Sequence, residues 1–487
     1  MGKKIKLSII AAVFFIFYTG ISVKAIEDDD DELFKTVEIK NGSTLSITEC
    51  VSASLKNNPK IKKKKYYLDV AKSNVGVAKA QYFPVINAGL GFYNENNSDN
   101  IYYNSHYREL PSVGLSINKL IWNFGKTTSL IKIEEFYKIG AEYEFIDCIC
   151  SVLFDVKAKY YNLLKAKYLY ENAKTNVELS KNIVEISTEK TDLTNAKTNL
   201  AKAEEELYER EKDYINAKID LNNAMYFTEN IDFDIKSTPT FPYENDFSKD
   251  TTASKIKNYT PQVFNFKIEK AAEIAFNNSP DLQVLIASKN AMKESLSYIK
   301  KTYLPDLTGT AGYGFNKIIP TSNNSLKVGV NLNSSINIAE LRHNIKGADA
   351  QIKIADEEIT NFKQDLFFEV KRAFNNTEKS QQKIEKTLEE AENARNTYNN
   401  VLSDYKSKKL DYLNLQNAKA DYINAVNNYI TSLYDYNTAL IQTEMAMHYH
   451  IVDIHHKSEH AVHYHSEELI EHLNKVLDCD EKDGKKH

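Results

Sequence analysis

The chain has 487 residues, a formal net charge of −5 and 26% charged residues, so it has no basic field of the kind that draws nucleic acid. A mean hydropathy of −0.49 is too polar for a bundle of membrane-spanning helices. The four cysteines do not make a disulfide framework and read as packing residues or free thiols.

In chain order, Lys3, Lys4 and Lys6 precede the apolar run Leu7 to Tyr18, and small residues lead up to Ala25. That pattern predicts a secretory signal peptide over residues 1–25. Residues 26–47 form an N-terminal tail with the acidic run Asp28 to Glu32, expected to be solvated. A first repeat follows over residues 48–227. It opens with a short helix from Thr48 to Lys56 and a second helix that begins at Asn58-Pro59 and ends near Phe83. Asn58 suits an N-cap, Pro59 the first helical position, and Pro84 a helix end.

Val85 to Tyr93 then alternates, with Ala88, Leu90 and Phe92 on one face. A polar loop from Asn94 to Pro111 separates it from Ser112 to Ile121, where Val113, Leu115 and Ile117 share a face. Both segments have the length of a tilted transmembrane strand, and Trp122 and Phe124 sit where interfacial aromatics belong. Lys126 to Thr188 contains no proline and reads as one helix about 90 Å long. After a polar break near Glu189 to Asp192, a further helix runs to about Tyr226. Its core steps by sevens through Ala196, Leu200, Ala203, Leu207, Tyr214, Ala217, Leu221 and Ala224, with Arg210 the one exception, the pattern of an antiparallel coiled coil.

Residues 228–267 are an irregular linker containing Pro239, Pro242 and Pro261. The second repeat, residues 268–446, then gives the same elements again. Pro280 and Pro305 are 25 residues apart, as are Pro59 and Pro84, at an offset of 221. Leu307 to Phe315 and the alternating Leu326, Val328, Val330 and Leu332 are the third and fourth strands. A helix runs from Ile338 to about Asp404. The last helix carries the heptad at an offset of 222, through Ala418, Tyr422, Ala425, Tyr429, Ser432, Tyr436, Ala439 and Thr443. The chain is therefore internally duplicated.

Four amphipathic strands are too few to close a barrel, and an open sheet in lipid leaves edge N–H and C=O groups unpaired. Three chains together supply twelve strands. The expected fold is mostly α with a small β part: a long antiparallel coiled-coil helical barrel plus four transmembrane β-strands per chain, closing as a twelve-stranded barrel in a trimer.

Several stretches resemble the TolC-like outer-membrane efflux proteins: Asn57-Asn58-Pro59 with Tyr82-Phe83-Pro84, Ser112-Val113-Gly114-Leu115-Ser116, Asn123-Phe124-Gly125-Lys126, and Thr191-Asp192-Leu193-Thr194-Asn195-Ala196. The resemblance covers about Thr48 to Met445 in both halves. It implies a homotrimer in the cell outer membrane with a periplasmic helical extension, a tunnel closed at its tip, and partners in a periplasmic adaptor and an inner-membrane transporter. It also implies an efflux or type I secretion role, passive and without catalysis or a cofactor. At the tip it makes Tyr405 and Asp192 a link between neighbouring coiled coils. It places Asn414 and Asn417 where the family often has pore aspartates, Leu410 at the basic partner and Lys408 at the usual glycine. Asp411 is a further candidate for charge at the tip.

Nine of the eleven histidines lie in the final forty residues, within a C-terminal tail over residues 447–487. His455, His456, His460, His463 and His465 are the candidate ligands for zinc, copper or nickel, with no paired-cysteine or HExxH motif. Two other readings stand beside the channel: a structural periplasmic coiled-coil envelope protein without a pore, and a secreted metal-binding enzyme.

Overall fold

The computed structural model describes residues 41–94, 109–227, 232–236, 267–317 and 322–448. The expected signal peptide, Cys479 and the five candidate histidine ligands lie outside the described residues. The first repeat comprises α1 (Ile47–Asn57), α2 (Pro59–Ala80), β2 (Val85–Asn94), β3 (Glu109–Trp122), α3 (Lys126–Ile186) and α4 (Lys190–Ala224). The second comprises α5 (Ile268–Asn278), α6 (Pro280–Lys301), β5 (Asp306–Lys317), β6 (Ser322–Asn333), α7 (Ile338–Lys406) and α8 (Tyr412–Met447). The same order thus appears twice, as the repeated sequence predicts.

Local chemistry explains the matched boundaries. Asn58 accepts a hydrogen bond from the Lys60 N–H and Ser279 one from the Leu282 N–H, each with proline next in the chain. Side-chain oxygens thereby satisfy donors that a helix start leaves orphaned. Ser46 caps α1 through a full capping box with Glu49.

Helix α3 pairs with α4 and α7 with α8, while α8 also packs on α3. In α8 all eight heptad positions from Ala418 to Thr443 are buried. In α4 Ala196, Ala203, Ala217, Leu221 and Ala224 are buried, whereas Leu200, Leu207 and Tyr214 are half-buried. The alanines let backbones approach, and the tyrosines of α8 fill the wider gaps. Tyr398 stacks on Tyr422 at 5.8 Å and Tyr168 on Tyr434 at 5.9 Å.

Residues 26–47 and 228–267, expected to be an irregular tail and linker, each contribute a short strand. β1 (Ser43–Leu45) pairs in parallel with β4 (Phe233–Ile235). Tyr160 of α3, wholly buried, donates to the Leu45 carbonyl at 3.2 Å and also bonds the Lys236 carbonyl. Three-residue strands have too few positions to show a period. A carboxylate also lies in the core: Glu444 of α8 is fully buried and paired with Lys157 at 3.2 Å.

Candidate functional site at the two ends of the molecule

Strands β2, β3, β5 and β6 form one antiparallel sheet in that order. Its register brings Ala88, Leu115, Tyr313 and Leu326 into one row, and Ile86, Ile117, Ala311 and Val328 into the next. On the opposite face Gly89, Gly114, Gly314 and Ser325 align. Among the described residues nothing covers the apolar face. Leu90, Leu326 and Val328 are 83%, 74% and 77% exposed, a contiguous apolar surface of the kind that marks contact with lipid or protein. Strands β2 and β6 are the edges, each offering a row of unpaired backbone groups.

At the base of the sheet β3 has an irregularity between Leu120 and Trp122, and Trp122 meets Phe124 edge-to-face at 6.1 Å. Phe124 and Gly125 then adopt left-handed φ values of 54° and 79°, turning the chain sharply into α3. Lys126 locks the corner, 2.7 Å from Asp306 and 2.9 Å from the Leu304 carbonyl.

The other end is where α3 turns into α4 and α7 into α8. Tyr405 donates to Asp192 Oδ2 at 3.2 Å, so the structure brings these two expected partners together across the two coiled coils. Tyr405 also shares a 3.4 Å hydrogen bond with the Ser187 hydroxyl, and burial holds its phenol above the usual range. Asp411 accepts from the Asn414 backbone at 3.1 Å and from its side chain at 2.5 Å. Both residues therefore serve the start of α8. Asn417 lies exposed one turn further on. Lys408 has a φ of 55°, a left-handed conformation that glycine adopts without strain. Leu410 and Leu413 are exposed beside it, at 37% and 64%.

Sequence reasoning missed Ser187, which has no motif of its own, and the 2.8 Å bond from Asn199 to the Tyr412 hydroxyl. Among the described residues no group of three His, Cys, Asp or Glu side chains could hold a metal ion, and no helix is long and apolar enough to cross a membrane.

The family model for outer membrane efflux proteins matches residues 50–225 and 271–446, both repeats. The chain belongs to this family.

No curated protein matches it. Among solved structures this outer membrane efflux protein resembles the outer-membrane channel OprN, with a TM-score of 0.69 and 14% identity over 86% of this chain and 95% of that one. It also resembles the CmeC outer membrane channel of Campylobacter jejuni, with a TM-score of 0.68 and 17% identity over 92% and 96%. The open state of the MtrE outer membrane channel of Neisseria gonorrhoeae gives 0.67 and 11% over 86% and 94%. The protein is a TolC-like outer membrane efflux protein with the fold of solved outer-membrane channels.

Proposed function

We propose that three copies of this efflux protein close into one conduit, with a twelve-stranded barrel in the outer membrane and a helical tunnel that narrows at the turns near Tyr405 and Asp192. The observation that carries this reading is the sheet: four strands with one bare apolar face and two open edges. Lipid can cover that face, but only another sheet can satisfy the edge N–H and C=O groups. Edge-to-edge pairing of three identical chains does so with cyclic symmetry. The conduit is passive and serves a tripartite exporter, the cargo being handed over by an inner-membrane transporter through a periplasmic adaptor. The link from Tyr405 to Asp192 holds the narrow end shut, and Asn414 and Asn417 give that end a neutral polar lining. The histidines of the C-terminal tail form a metal-binding appendage, which a zinc or copper titration of intact against tail-deleted protein tests.

Purified protein inserted into a planar lipid bilayer is expected to give stepwise conductance. Material that stays a water-soluble monomer and never permeabilises the bilayer supports the envelope coiled-coil reading instead.

A further inference from the structure

The interface between α3 and α8, which joins the two coiled coils, is interrupted by a line of buried polar side chains. Asn172 donates to the Ile423 carbonyl at 3.3 Å and to Asn427 Oδ1 at 2.9 Å. Ser180 donates its hydroxyl proton to the Asn176 carbonyl at 2.7 Å. Asn176 donates to Glu206 of α4 at 3.1 Å, and its own Oδ1 is buried without a partner. Into this line α8 inserts Lys419, which is 3% exposed and donates to Ser180 Oγ at 2.7 Å.

An ammonium has three donors, and among the described residues a single neutral hydroxyl accepts from it. A buried charge so thinly compensated costs free energy that hydration would return. Lys419 lies two turns into α8 from its Asp411 cap, so a parting of α8 from α3 at the tip would let water reach it first.

We infer that Lys419 is a built-in opening element, an amine kept from water only while α8 lies against α3, so that its hydration favours separation of the coiled coils at the tip. The inference rests on the conduit reading above.

The charge environment agrees. Burial pushes the Lys419 amine down from 10.5 to about 8, and Glu206 of α4 is the ionisable group that opposes this. From α3 the group facing it is the Ser180 hydroxyl, and α7 supplies no charge that acts on it among the described residues. The packed arrangement sheds the proton near pH 8, whereas a hydrated Lys419 keeps it to about 10.5. Between those values the separated form binds more protons, so rising pH favours the packed form.

The test is bilayer conductance of the full protein across pH with two variants. Wild type is expected to lose opening by about tenfold or more between about pH 8 and about pH 10. Lys419→Met should stay mostly shut at every pH, and Lys419→Arg, which keeps its charge, should open without falling in that window. A Lys419→Met channel with the wild-type pH profile overturns the inference while leaving the conduit intact. If no form conducts, the conduit reading fails and takes this one with it. Melting curves give an independent reading: Lys419→Met should raise the Tm at neutral pH, and an unchanged or lowered Tm there counts against a costly buried charge.

Discussion

Lys408 shows how one residue can work against its own turn. Its φ of 55° strains any side chain bearing a Cβ by roughly 1–2 kcal/mol, so Lys408→Gly should stabilise the protein by about 1 kcal/mol in chemical denaturation. Glu444 presents the opposite situation. Glu444→Gln takes away the charge that Lys157 faces in this largely buried pair, which should cost about 3–5 kcal/mol. The double change Glu444→Met with Lys157→Met should recover much of that loss in the same assay. Cys50 is fully buried and burial pushes its thiol up to about 12, so maleimide should leave it unlabelled in the folded protein and label it after denaturation. At this scale the sequence is uneven as a guide. Asn58 and Ser279 show their capping role because a cap acts on neighbours two or three positions away. Glu444 hides its role, because its partner is 287 residues distant.

Among the elements, the long helices and the four strands were legible because each repeats a period many times. β1 and β4 were not, being too short to have one, and what holds them is Tyr160 across a gap of 115 residues in sequence. The tip link was legible only through resemblance, since nothing in the spacing of Tyr405 and Asp192 marks them as neighbours. Tyr405→Phe removes the hydroxyl that reaches Asp192 and Ser187, which should weaken the closed tip by about 1 kcal/mol. The expected reading is a higher open fraction in bilayer recordings, with the fold retained by circular dichroism. The duplication makes a sharper prediction for the sheet edges. β3 pairs with β5 so that Ile117 faces Ala311. In the proposed trimer, that register carried through the hairpins to the outer edges sets Leu332 of β6 opposite Leu90 of β2 in the next copy. Leu332→Cys combined with Leu90→Cys should therefore cross-link neighbouring chains on oxidation. A shift of either cysteine by one residue should fail to do so, because it turns that side chain to the other face.

For the molecule as a whole, the two halves share architecture but not tip chemistry. The offset of 222 that superposes the heptads maps Tyr405 onto Ile183 and Asp192 onto Asn414. The latch inside each polypeptide therefore has no twin at the joint between polypeptides, where Leu410 also offers no cation. In the proposed assembly of three chains the joint inside each polypeptide carries this pair, and the matching positions of the joint between polypeptides do not. Separating the coiled coils at the tip then has to break the bond from Tyr405 to Asp192 once in every polypeptide.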